Sequence, residues 1–238
     1  MKIQAKFFLY HLLFLFSLIS QDTYVSISFF GDDPLLYYIS LSLIFTTIVC
    51  YSGVVAGPTF ISANEENDSP FYCNSCQMRV PVRAFHCDKC HHCILRQTYH
   101  SEWADACIGQ DNYMNYVFFI LSEFLTLFFL IAISIISFLQ IKNDQPLITL
   151  ILNHILLLFL MPFWLYYFIQ VIIVLLQNLY IITTSGNVLE TRKFCGLTYL
   201  YIQPQSHNPF FSYSIYQNFS EIFSPVHKKL YVIKDPSK

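Results

Sequence analysis

Charge is what this sequence has least of. Only 12% of its 238 residues are Asp, Glu, Lys or Arg, where a soluble domain carries about 25%. A solvated surface of this size needs more charged groups, so an ordinary soluble enzyme is excluded. The 55% hydrophobic content and a mean hydropathy of +0.48 exclude a disordered chain. The formal net charge of -2 offers no basic surplus for a polyanion, so nucleic acid is excluded as a partner. Internal repeats and low-complexity linkers are absent. Cysteine is nearly missing outside one window: six of the eight lie between Cys73 and Cys107, and Cys50 and Cys195 stand alone. A disulfide framework would spread its cysteines over the exposed loops instead.

What is abundant is uninterrupted apolar sequence. Four segments stand out: residues 7–20, 35–57, 116–139 and 149–182. A helix needs about 20 residues to cross the bilayer core, a length that 35–57 and 116–139 meet directly. Residues 7–20 are short and follow Lys2 and Lys6. They read as an uncleaved helix, with a cleaved signal peptide as the alternative, although Leu18 and Ser20 make a poor cleavage site. Residues 149–182 would make about 50 Å of helix, too much for one bilayer crossing and too little for two spans and a turn. One span over 155–182 is expected, with Pro162 marking a kink.

The reading is an all-α polytopic membrane protein with four transmembrane helices and a cytosolic cysteine-rich domain between spans two and three. With a cytosolic amino terminus, twelve of the thirteen Lys and Arg residues fall on the cytosolic side, as the positive-inside rule requires. The expected divisions are a transmembrane hairpin at 1–57, a zinc-binding domain at 58–115, a second hairpin at 116–183 and a tail at 184–238. Both termini are then cytosolic, in the endoplasmic reticulum or Golgi membrane. Asn67-Asp68-Ser69 and Asn218-Phe219-Ser220 match a glycosylation pattern, but on the side where it is not used.

The cysteine window reads Cys73-x2-Cys76-x9-His86-Cys87-x2-Cys90-x2-Cys93-x6-His100-x6-Cys107. Six thiols and two imidazoles supply eight ligands, enough for two four-coordinate structural zinc ions. Spacing alone does not say which four ligands share an ion, though the order does not suit a RING finger. His91 and His92, inside a knuckle, are expected to face solvent rather than bind metal.

With these residues in view, the chain resembles the DHHC family of protein S-acyltransferases, or palmitoyltransferases. Beyond the ligand ladder, the likeness is carried by Pro81-x-Arg83-x2-His86-Cys87, by Trp103, and by Cys107-Ile108-Gly109-x2-Asn112-Tyr113. Past the last span, Glu190 in Asn187-Val188-Leu189-Glu190 falls where the family has a Thr-Thr-x-Glu motif; Thr183-Thr184 is a decoy. Asn208-Pro209-Phe210 and Asn218-Phe219-x2-Ile222-Phe223 look like its C-terminal motif, with Ser224 in place of the usual Gly.

The resemblance implies interleaved zinc sites, one of Cys73, Cys76, His86 and Cys93, the other of Cys87, Cys90, His100 and Cys107. It implies acyl-CoA, palmitoyl-CoA in particular, as co-substrate or ligand. The implied partners are the lipid bilayer and membrane-associated protein substrates. It also places the signature Asp-His-His-Cys at Thr98, Tyr99, His100 and Ser101. Only His100, the zinc ligand, is retained; the orienting Asp, the base His and the nucleophilic Cys are replaced. His91-His92-Cys93 is a false match, because Cys93 is needed as a ligand. The expectation is therefore a family member with impaired catalysis, a pseudoenzyme. The alternatives are an active S-acyltransferase with a non-standard active site, and a zinc-stabilised scaffold with no acyl-chain site. Glu123, inside the third span, reads as either a functional charge or a paired or snorkelled one. His154 reads as structural, and Cys195 as an unmodified juxtamembrane thiol or an acylation substrate.

Overall fold

A bilayer offers no water to an open backbone, so an apolar run that enters it closes its hydrogen bonds within a helix. In a computed structural model of the chain, three such helices form among the described residues. They are α1 (Leu35–Ala56), α2 (Tyr113–Leu139) and α3 (Leu147–Thr184). Each contains a stretch long and apolar enough to cross a membrane: Tyr38–Ala56, Tyr113–Ile135 and Met161–Thr184. The structure describes residues 35–57, 60–61, 71–81, 83–102, 104–139 and 147–184, together with 214, 216, 218 and 219. The expected first span at 7–20, Trp103, Cys195, Glu190 and the 208–210 motif lie outside the described residues, as does the side chain of His154.

The apolar run expected at 149–182 is one helix from Leu147 to Thr184, with Pro162 inside it. Proline there has no N–H to give to the carbonyl four residues earlier, and the helix continues past it. The helix begun at Tyr113 starts three residues before the apolar run at 116, because Asn112 supplies its first turn: the Tyr116 N–H donates to the Asn112 carbonyl at 3.0 Å.

Among the described residues between α1 and α2 are three antiparallel hairpins of two strands each. The first pairs β1 (Tyr72–Cys73) with β2 (Met78–Arg79). The second pairs β3 (Ala84–Cys87) with β4 (His92–Leu95). The third pairs β5 (Tyr99–Ser101) with β6 (Ala106–Ile108). An isolated bridge from Phe60 to Ile94 adds a third edge beside β4.

The chain divides into two compact units. The first comprises 1–50 and 118–176. In it α2 carries the packing, with Phe119, Ile120 and Leu127 fully buried. Phe124 of α2 stacks on Phe168 of α3, ring centroids 5.3 Å apart. Ser122 and Thr126 turn their hydroxyls back to the carbonyls of Phe119 and Ser122, so these buried polar groups are satisfied within their own helix. Glu123 is buried at 1% exposure, which excludes the snorkelled arrangement. Phe45, Phe128 and Tyr166 remain exposed, a surface suited to lipid.

The second unit comprises 51–117 and 177–238. It contains the hairpins, the last turn of α1, the first turn of α2 and the last turns of α3. Asn112 is its clasp. Its Oδ1 accepts the Gly109 N–H at 3.0 Å, and its Nδ2 donates to the carbonyls of Val54 at 3.0 Å and Cys107 at 2.9 Å. The Val54 carbonyl belongs to the end of α1, where the helix has no internal donor left. Asn115 Nδ2 donates likewise to Gly53 at 3.2 Å. Gly57 permits this approach, since a Cβ there would stand 2.7 Å from the Asn112 Cβ. At the end of α3, the Asn218 side chain donates to the Thr183 carbonyl.

Two outcomes follow for stability, measured by thermal unfolding in detergent. Asn112→Ala strands two buried carbonyls and one N–H and is expected to cost on the order of 3 kcal/mol. Asn115→Ala, which removes one exposed bond, is expected to cost less than about 1 kcal/mol.

Candidate metal centres and the tetrapeptide position

Strand alternation decides which ligands meet. His86 and Cys87 are neighbours on β3, so their side chains leave opposite faces of the hairpin. His86 lies across from Cys93 of β4. On the third hairpin His100 lies across from Cys107. Each cross-strand His–Cys pair is completed by one Cys-x2-Cys knuckle. Cys73, Cys76, His86 and Cys93 form one cluster; Cys87, Cys90, His100 and Cys107 form the other. Within each cluster the ligand atoms all lie within 4.8 Å of one another.

Both knuckles are built alike. The residue after the second Cys, Gln77 in one and His91 in the other, has a positive φ, 52° and 57°. A side chain in that left-handed region costs about 1–3 kcal/mol, and it persists where the surroundings fix it. The Cys76 N–H points at the Cys73 sulfur, 3.4 Å away. The His91 N–H donates to the Cys87 carbonyl at 2.8 Å. His91 and His92 themselves are exposed and belong to neither cluster.

The donor sets fit zinc. Tetrahedral zinc with thiolate and imidazole places neighbouring ligand atoms about 3.6–3.8 Å apart. His86 Nδ1 lies 3.2 Å from Cys76 Sγ and 3.9 Å from Cys93 Sγ. His100 Nδ1 lies 3.8, 3.4 and 3.5 Å from the sulfurs of Cys87, Cys90 and Cys107. The sulfurs of Cys76 and Cys93 are 3.5 Å apart, and those of Cys90 and Cys107 are 3.1 Å apart, far beyond a disulfide bond. Each imidazole turns Nδ1 to the thiols and Nε2 to a carboxylate, Asp88 at 3.8 Å from His86 and Asp105 at 3.5 Å from His100. A carboxylate behind a ligating histidine helps orient its ring. Burial, then the neighbouring thiols, push Cys93 and Cys107 above the ordinary thiol range. Bringing such thiols together as thiolates takes a cation. The two clusters could therefore hold two structural zinc ions, whose contribution would be folding energy.

The second cluster places His100 on β5, and with it the rest of the tetrapeptide position. Thr98 faces the β6 partner: its N–H and its Oγ1 both donate to the Ile108 carbonyl, each at 2.9 Å. Tyr99 meets Tyr116 of α2 edge-on, ring centroids 5.7 Å apart at 82°. Burial, followed by the charge of Tyr116, pushes the Tyr99 phenol well above its ordinary value. Ser101 is 3% exposed, and its Oγ accepts the Ala104 N–H at 3.2 Å. Tyr116 faces Ser101 as well.

A family model for the DHHC palmitoyltransferase matches residues 66–195, more than half of the chain. The chain belongs to the DHHC palmitoyltransferase family. No curated protein matches the chain. Tyr99, His100 and Ser101 lie on β5 with Thr98 just before it, and each has a partner within the chain. Cys93 of the false His91-His92-Cys93 match sits in the first metal cluster, buried.

Sequence reasoning had no role for Asp88, Asp105 or Tyr116. The two carboxylates lie two and five residues after their histidines, spacings too common to single out. Tyr116 is one of 17 tyrosines, and nothing in one dimension joins it to Tyr99 and Ser101.

Metal analysis of the purified chain is expected to find about two zinc ions per chain. Cys76→Ser is expected to lower this by one, while Cys50→Ser leaves it unchanged. Asp105→Ala is expected to weaken retention of one ion by about 10-fold or more against a chelator.

Proposed function

We propose that this chain is a catalytically impaired DHHC-family member, a pseudoenzyme that binds acyl-CoA or partner proteins without efficient acyl transfer. The observation that carries the proposal is Ser101, a buried hydroxyl held by the Ala104 N–H at the position where the family keeps its thiol.

The family reaction runs in two displacements. A cysteine thiolate attacks the thioester carbonyl of acyl-CoA, the C–S bond to CoA breaks, and the CoA thiolate takes up a proton. A substrate thiolate then attacks the acyl-enzyme thioester and releases the enzyme cysteine. A serine hydroxyl can take the first role only if a neighbouring base removes its proton. The base position is Tyr99, a phenol whose ordinary pKa is about 10. Burial raises it further. Thr98, the position of the orienting carboxylate, is committed to the Ile108 carbonyl and has no negative charge with which to stabilise a cationic base. An ester on Ser101 would also be a poorer acyl donor to a thiol than a thioester. Loss of a positioned base alone is worth about 10²–10⁴-fold in rate, and the losses need not add.

The same reading includes four spans with residues 7–20 as the first, two zinc ions in the clusters above, and the zinc module and both termini in the cytosol. Its support is the distribution of Lys and Arg, twelve of thirteen on that side. The membrane is proposed to be that of the endoplasmic reticulum or Golgi.

The test is labelling of the purified chain with an alkyne analogue of palmitoyl-CoA. Wild type and Ser101→Ala are expected to label equally, at background, with acyl-CoA binding retained. Label on the wild type that disappears in Ser101→Ala would overturn the proposal and establish an altered nucleophile. No acyl-CoA binding at all would favour the scaffold.

A further inference from the structure

The three replaced residues are each engaged, and the engagements form a pattern. Thr98 closes the β5–β6 pairing through both its N–H and its hydroxyl. Ser101 ends β5 and accepts the Ala104 N–H of the following turn, a turn that needs support because Asp105 takes a positive φ of 45°. Thr98 and His100 leave one face of the strand, and Tyr99 and Ser101 leave the other. That second face meets Tyr116, whose ring is packed by Tyr99 and whose hydroxyl faces Ser101. Tyr116 is 1% exposed and lies in the first turn of α2, tied through its N–H to Asn112.

We infer that the strand at the signature position is a brace: Tyr99 and Ser101 fasten the third hairpin to the start of α2 through Tyr116, and Tyr116, held in place by the Tyr99 ring, closes position 101 to any acyl donor. The inference rests on the proposed absence of catalysis and gives the replaced residues a positioning task in its place. A nucleophile has to present its reacting atom to the incoming carbonyl with a base in hydrogen-bond reach. At position 101 the hydroxyl is turned into the 101–104 turn on one side and toward the Tyr116 ring on the other. Restoring sulfur alone leaves both neighbours in place. A shorter side chain at 99 removes the ring that holds Tyr116 over it.

The experiment reads thiol reactivity rather than acyl transfer, so its failure is separate from failure of the pseudoenzyme reading. Ser101→Cys is an isosteric change on a buried strand, and Glu102→Cys places a thiol one residue away at a side chain 75% exposed. Each zinc-loaded variant in detergent is treated with N-ethylmaleimide, and the modified peptide is followed by mass. The thiol introduced by Ser101→Cys is expected to react about 10-fold or more slowly than that introduced by Glu102→Cys. Adding Tyr99→Val, a residue suited to a strand, is expected to recover most of that difference, while adding Tyr99→Phe leaves the rate low. Zinc content near two per chain qualifies each double variant, and the comparison of Ser101→Cys with Glu102→Cys decides alone if Tyr99→Val loses its metal. Equal rates for Ser101→Cys and Glu102→Cys would overturn the inference, as would a metal-loaded Tyr99→Val variant that leaves the rate unchanged. Acyl label on wild-type Ser101 would instead sink the functional reading on which the inference rests.

Discussion

Two tetrads of thiol and imidazole constrain the segment between α1 and α2. Its strands are two to four residues long, and an isolated two-stranded hairpin is marginal in water. The apolar clusters that support them are small, and they include the ligands themselves. Cys93 lies in one with Ile61, Val80 and Leu95, while Cys87 and Cys107 lie in the other with Ile94. A core built around its own candidate metal ligands would have little stability apart from an ion. Without a cation, burial drives the Cys93 and Cys107 thiols toward the protonated form; with one, the same burial would shield the metal bonds from water.

The tetrads also explain how the hairpins share one frame. His86 and Cys87 are consecutive residues that serve different clusters, so the second hairpin is anchored on both faces. The frame then reaches the helices through polar side chains rather than through a large apolar contact. Asn112 spends its amide on the end of α1 and the end of β6, and Asn115 adds a second bond to α1. Gly57 is the concession that lets backbone and asparagine approach so closely. The Tyr113 hydroxyl reaches the Asn178 carbonyl of α3 at 3.4 Å, and Asn218 reaches the end of the same helix.

The parts that were legible in the sequence are those with discrete chemistry or long runs. Cysteine and histidine at knuckle spacing pointed to the eight side chains that gather in the two clusters, because few other arrangements use those side chains so densely. Division into two sets needed the family likeness, since either neighbour on β3 could have served either ion until strand alternation separated them. The apolar runs gave α1, α2 and α3 because length and the absence of charge are local properties. Pro162 was expected to mark a kink, and the helix runs through it from Leu147 to Thr184. The family likeness located the replaced tetrapeptide at Thr98, Tyr99, His100 and Ser101. The contacts of these residues were not legible, because Tyr99, Ser101 and Tyr116 meet only after β5 folds back on β6 and α2 begins. The burial of Glu123 was hidden for the same reason: composition places it in a span, but only packing places it inside.

The order of the ligands along the chain bears on how the protein is made. The first tetrad is complete at Cys93 and the second at Cys107, and both precede Tyr113, where α2 begins. Neither set borrows a residue from α2 or α3. During synthesis, therefore, the metal module can close while α1 is the last span available, before α2 exists to be inserted. Asn112 and Tyr116 are then the first residues of the following segment to reach it, with Asn178 and Asn218 following later.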